Sequence, residues 1–432
     1  MSAPEVRIVP APGARTTTVL VAHHGGARFE ATGQEGYSHL LEHLVLRRGR
    51  TSGAAAAGTR ELEVRGASCN AETTHDLVTF HAQCRAREAP AVLRELAILL
   101  GRPLAGEPEI AAEREVVLCE LAEHSARAAF AADAVVARAA FPEHPLGRSV
   151  LGTPDALTAA TRERLAAFRS RWWTGGRSAL IITGATAGLP DADELQSLLQ
   201  LSDGDDRVSP AALGPPRLQS GATYLTGSDG SPDVRAMFLA TPATAPLRLR
   251  CATAVLERVL VGKHSGLLRL LAGRRGGGAW VALSSATAWH PDCLTMRFGA
   301  AGPKLDAPGL GRDCAEILAA LGEVRDLENR VTRAVSTSLG EMTLEIDTPL
   351  FAARVSASRL LLFDEDPNPA GLLEELATVS IEDVLEVAAL LAESPPRVVV
   401  RVPSGYERAT AAASAMTRLA ASRTPPWSHG RP

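Results

Sequence analysis

The segment His39-Leu40-Leu41-Glu42-His43 constrains this chain more than any other. Two imidazoles stand four residues apart with a carboxylate between them, in an apolar stretch that predicts a helix from about Gly36 to Arg47. At 3.6 residues per turn, positions i and i+4 stack on one helix face, so His39 and His43 can grip a single ion. Leu40, Leu41 and Leu44 fall on other faces and are expected to anchor the helix in a core. Glu42, next to His43, can reach a water on that ion. Two neutral nitrogens and a nearby base are what metal-assisted hydrolysis requires: the metal acidifies water and the carboxylate takes its proton.

A catalytic zinc commonly keeps three protein ligands and one open position for water. The third is expected to be a carboxylate or a His on a rigid element near the first helix. A long helix is predicted from about Glu107 to Ala129, and it carries Glu113 and Glu120 seven residues apart, two turns along one face. His124, one turn past Glu120, reads as a neighbour rather than a ligand. His23 and His24 end a predicted strand and read as structural.

At 432 residues the chain is long for one core, which predicts two domains of roughly 200 residues each. It is 46% hydrophobic and 22% charged, ordinary for a globular protein, and its net charge of -4 points to no nucleic-acid or membrane partner. Met1 to Arg7 lacks the basic start and apolar run of a secretory signal, and no apolar run is long enough to span a bilayer. The expected compartment is the cytoplasm. Six scattered cysteines form no ligand pattern and read as reduced thiols.

Strands are predicted at Thr16 to His23, Asp76 to Ala82 and Ala179 to Thr183, and helices at Ala91 to Leu100 and Ala156 to Trp173. Residues 202–221, rich in Asp, Gly, Pro and Ser, form the linker candidate. Beyond it, strands and long helices restart in a similar order without an obvious sequence repeat, as expected of a structural duplication. The predicted fold is α+β: two similar domains, each a mainly antiparallel sheet covered by long helices, together forming a half-shell. The boundaries are 1–201 for the first domain, 222–404 for the second, and 405–432 for a partly disordered tail.

Several segments extend the pattern. They are Gly33-x-x-Gly36-x-Ser38-His39, then Gly66-x-x-x-Asn70-Ala71-x-Thr73-x-x-Asp76-x-x-Thr79-Phe80, Glu113-Arg114-x-Val116-Val117-Leu118-x-Glu120, Pro145-Leu146-Gly147 and Leu151-Gly152-Thr153-Pro154. On these residues the chain resembles the pitrilysin family, which includes insulin-degrading enzyme and the mitochondrial processing peptidases, in a bacterial two-domain short form. The resemblance implies one zinc ion per chain held by His39, His43 and Glu120, with Glu42 as general base and Glu113 as a supporting carboxylate. It implies a strand edge at Asn70 and Ala71 that pairs with the backbone of a peptide substrate. The implied activity is that of a zinc endopeptidase acting on short or unstructured peptides.

One segment departs from the family, whose active members carry an Arg and, seven residues later, a Tyr in the second domain. The matching positions here hold Gly273 and Trp280, with Arg269, Arg274 and Arg275 nearby. Indole offers an N–H donor and no hydroxyl. Some relatives divide the work between two subunits, one bearing zinc and the other the Arg and Tyr. The chain is therefore expected to be the zinc-bearing half of a heterodimer with a homologous partner, a homodimer being the other arrangement. The competing reading is a non-catalytic binding or scaffold subunit that retains a structural zinc.

Overall fold

The computed structural model describes residues 3–47, 57–126, 128–199, 201, 215–227, 233–242, 246–262, 266–268, 282–290, 293–301 and 314–403. The chain divides into two compact units, each built on a five-stranded sheet. The first sheet uses β1 (Glu5–Pro10), β2 (Thr16–His23), β3 (Ser68–Thr73), β4 (Val78–Arg85) and β5 (Ser178–Gly184), in the order β1-β5-β2-β4-β3. Only β1 and β5 run parallel; β2 pairs antiparallel with β5 and β4, and β3 with β4.

The second sheet repeats this plan. Its strands are β6 (Gly221–Gly227), β7 (Asp233–Ala240), β8 (Ala282–His290), β9 (Cys293–Ala301) and β10 (Arg397–Pro403), ordered β6-β10-β7-β9-β8. Again one parallel pair, β6 with β10, adjoins antiparallel pairs. The two orders superpose strand for strand, so the duplication lies in topology rather than in sequence. The expected fold, helix-covered and mainly antiparallel sheets in two similar units, is the one observed.

In the first unit the helices are α1 (Tyr37–Arg47), α2 (Ala57–Val64), α3 (Ala89–Gly101) and α4 (Glu107–Ala126). The next helix, α5 (Ala128–Ala140), belongs to the second unit, where Val136 and Ala140 pack with Met237, Leu239 and Val399. The chain then returns for α6 (Arg162–Trp172), and α7 (Leu247–Val261) follows in the second unit. An exchange in the other sense occurs late: α8 (Pro349–Phe363) belongs to the first unit. Its Ala353, Ala357, Leu360 and Leu361 cover Leu20, Ala22, Ala179 and Ile181 on one face of the sheet. The alternate residues Val19, Val21, Leu180 and Ile182 face the other way, onto Leu40, Leu41 and Leu44 of α1. Covered on both faces, β2 and β5 read as continuous apolar runs rather than alternating ones.

Local signals explain the boundaries. The helix predicted over Ala156 to Trp173 is broken: Thr161 Oγ1 accepts from Arg164 N at 3.4 Å and starts α6 afresh. The long helix expected to reach Ala129 ends at Ala126. Strands β1 and β6 carry no clean alternation and went unpredicted; β6 begins at the last residue of the linker candidate, whose residues 202–214 lie outside the described residues, as does the tail from 404. Among the described residues no helix is long and apolar enough to cross a membrane.

Candidate metal centre

The start of α1 is fixed by its loop. Glu30, buried, accepts from the backbone N–H of Gly36 through Oε2 and of Ser38 through Oε1, both at 2.8 Å, satisfying amides that a helix N-terminus leaves open. Gly36 has φ +97°, and a Cβ there would lie 2.9 Å from both Gly152 Cα and Leu151 O. The backbone of the Leu151-Gly152 turn thus rests directly on the entry to α1, a contact that only glycine permits.

With α1 anchored by Leu40, Leu41 and Leu44, its opposite face presents His39 and His43 to α4. The rings lie 4.6 Å apart, centroid to centroid, at 75°. Glu120 Oε2 sits 3.8 Å from His39 Nε2 and 3.5 Å from His43 Nε2. One turn pair earlier on α4, Glu113 Oε2 lies 3.5 Å from the other ring nitrogen of His43, Nδ1. The seven-residue spacing therefore sets one carboxylate on each side of the same imidazole. Arg114 secures α4 by donating to the carbonyls of Thr158 and Ala160, each at 3.3 Å.

These donors suit a divalent ion. Ligand atoms of His39, His43 and Glu120 all lie within 4.8 Å of one another. Donors on a tetrahedron with bonds near 2.1 Å stand about 3.4 Å apart, close to the separations to Glu120. Those separations are too long for hydrogen bonds, so the three groups converge without satisfying one another. Burial first, then the nearby charges of His43 and His124, lowers His39 to about 4, leaving it neutral at ordinary pH, as a ligand must be.

Glu42 lies beside this cluster, 9% exposed. Thr73 Oγ1, at the end of β3, donates to Glu42 Oε2 at 2.6 Å. Burial raises the Glu42 pKa, and the Thr73 bond opposes that rise. Strand β3 forms the edge of the sheet, and the Ala71 N–H there donates to Asn70 Oδ1 at 2.9 Å. A strand added at this edge would exchange that bond for one to its own carbonyl. A pocket opens next to Glu42 and His43, bounded by Leu46, by Thr59 and Glu63 of α2, and by Cys69 and Asn70 of β3.

The model of the family described as Insulinase (Peptidase family M16) matches residues 6–154, the span that holds His39, Glu42, His43, Thr73, Glu113 and Glu120. A probable mitochondrial-processing peptidase subunit beta of Arabidopsis thaliana is 28% identical over 248 residues, 54% of this chain and 46% of that protein. Over residues 6–154 the chain is similar to the insulinase family. A second relative, an uncharacterized zinc protease of Mycobacterium leprae, is 29% identical over 212 residues, 49% of this chain and 46% of its own length. The matches thus span less than half the length of these two curated relatives. A protease from Helicobacter pylori has the same fold, with a TM-score of 0.78 at 17% identity, covering 93% of this chain and 97% of that one.

Sequence reasoning assigned no part to Thr73 or Glu30. Thr73 stood within a quoted motif, but only the folded chain brings it to Glu42. Glu30 carries no local signal at all; its partners lie six and eight residues onward. Arg269, Gly273, Arg274, Arg275 and Trp280 lie outside the described residues.

Proposed function

We propose that this chain is the metal-bearing subunit of a zinc endopeptidase that cleaves short or unstructured peptides. One observation carries the reading: His39, His43 and Glu120 converge from two helices while the buried carboxylate of Glu42 stands free of that set, held by Thr73. His39, His43 and Glu120 would hold the ion, one per chain. Bound there, zinc supplies Lewis acidity toward the peptide carbonyl and acidifies water. Glu42 takes a proton from the attacking water and delivers it to the amine as the C–N bond breaks. Glu113 orients the His43 ring through Nδ1, as outer carboxylates do for metal-binding imidazoles. Asn70 and Ala71 offer main-chain groups at the β3 edge, a mode that gives affinity with little demand on sequence.

The partner reading rests on residues 273 and 280, Gly and Trp where the family's active members hold Arg and Tyr. A homologous subunit supplying that pair would complete the site, and the Arabidopsis relative is itself named as a subunit. A purely structural ion would have no use for a buried base beside it, so Glu42 speaks against a scaffold role. Metal analysis tests the ligand set: the wild-type chain should hold one zinc per chain, and His39→Ala, His43→Ala and Glu120→Ala should each lose it. Full retention by any of the three would remove that residue from the site.

A further inference from the structure

The pocket beside Glu42 and His43 has a direction relative to the bond that Glu42 would serve. Thr73, which holds Glu42, ends β3; Cys69 and Asn70, which line the pocket, lie toward its beginning. The neighbouring pairs β2 with β4 and β4 with β3 are antiparallel. A peptide added antiparallel to β3 runs from the Thr73 end toward the Ser68 end. Its residues beyond the bond facing Glu42, on the carboxyl side, then pass over the pocket.

The lining has two characters. Leu46 and the Cys69 side chain give an apolar wall, while Thr59 and Glu63, one turn apart on α2, present a hydroxyl and an exposed carboxylate. Glu63 acts into the pocket: burial first, then the Glu63 charge, pushes the Cys69 thiol up to about 11. No Lys or Arg is among the described residues that line it. An apolar stem ending in a cation matches such a wall with an anion at its mouth, because Lys and Arg bury their methylenes and keep the charged head in water.

Building on the peptidase reading, we propose that this pocket receives the substrate side chain immediately after the cleaved bond, and that Glu63 makes it select Lys or Arg. Leu46 and Cys69 pack the aliphatic stem, and the Glu63 carboxylate pairs with the ammonium or guanidinium. An acidic side chain meets Glu63 and Glu42 together and is rejected.

The test uses unstructured peptides carrying Lys, norleucine or Glu at the residue after the cleaved bond, with a second set varied at the residue before it. Norleucine keeps the Lys stem and removes the charge. With the metal-loaded chain isolated together with whatever subunit accompanies it, kcat/KM should favour Lys over norleucine by roughly fivefold, the scale of one partly solvated ion pair. Glu63→Gln should bring that ratio to about one, and Glu63→Lys should turn the preference toward Glu. The same peptides, labelled, are titrated by fluorescence anisotropy against Glu42→Gln and against Glu42→Gln with Glu63→Gln, which reads the ratio without turnover. Cleavage with no Lys preference, a preference at the residue before the bond, or a Lys ratio unmoved by Glu63→Gln overturns the subsite while the peptidase reading stands. A Glu63-dependent binding ratio without cleavage of any peptide supports the subsite and counts against the peptidase reading.

Discussion

Thr73 Oγ1 donates to Glu42 Oε2 across 2.6 Å, joining the last residue of an edge strand to the carboxylate of a helix. The bond fixes which way the buried carboxylate points and supports its charged form. Replacing Thr73 by Val keeps the shape and removes the donor. Peptide cleavage should fall roughly tenfold, the scale of a hydrogen bond to a charged group, with metal content unchanged. Thr73→Ser should retain most of the rate. Equal rates for Val and Thr would show that Glu42 needs no such support.

Glu113 tests a different kind of support. Its Oε2 stands 3.5 Å from His43 Nδ1, on the side of the ring away from Glu120. Glu113→Gln should weaken zinc binding by about 10- to 100-fold, read by competition with a chelator of known affinity. Unaltered affinity would reduce Glu113 to an ordinary helix carboxylate.

The loop beneath α1 makes a prediction about stability alone. Gly36→Ala places a Cβ at φ +97° and 2.9 Å from the backbone of Leu151 and Gly152. Strain and contact together should cost about 2 kcal/mol or more. Gly101→Ala, where nothing lies within 4 Å, serves as the control and should stay within about 0.5 kcal/mol. Chemical denaturation of both variants gives the comparison; equal stabilities would mean that the turn yields without cost.

Much of this site was legible in the sequence. The i, i+4 imidazoles and the seven-residue carboxylate spacing are helix-surface geometry, and a helix keeps that geometry wherever it packs. Leu40, Leu41 and Leu44 likewise named the buried face of α1. The contacts of Thr73 and Glu30 were not legible, because each bridges elements that only the fold brings together. The same reason hid the exchange of helices: amphipathicity shows that α5 and α8 bury a face, and nothing local says against which sheet. β1 and β6 were missed because edge strands paired on one side carry little apolar alternation.

Glu30 supplies a pH dependence. Burial pushes it up to about 7 from an ordinary 4.5, against the backbone bonds from Ser38 and Gly36 that lower it. Between those values the folded chain keeps a proton that the unfolded chain releases. Stability should therefore fall as pH rises from 4.5 to 7 and level off above, with roughly 3 kcal/mol as the upper bound on the Glu30 share. Glu30→Gln should lose that slope while bearing a pH-independent cost at the α1 cap. Denaturation curves at pH 5, 6, 7 and 8 check it; parallel slopes in both proteins would contradict the assignment.

The central claim is that Glu42 serves as the base beside an ion held by His39, His43 and Glu120. The most direct measurement isolates the zinc-loaded chain from its native cells with whatever subunit accompanies it, and follows cleavage of an unstructured fluorogenic peptide. Wild type and Glu42→Gln are compared at equal, measured zinc content. The account predicts turnover by the wild type, abolished by a chelator and restored by zinc, and a loss of at least about 100-fold in Glu42→Gln with its zinc retained. Turnover by Glu42→Gln at the wild-type rate would contradict it.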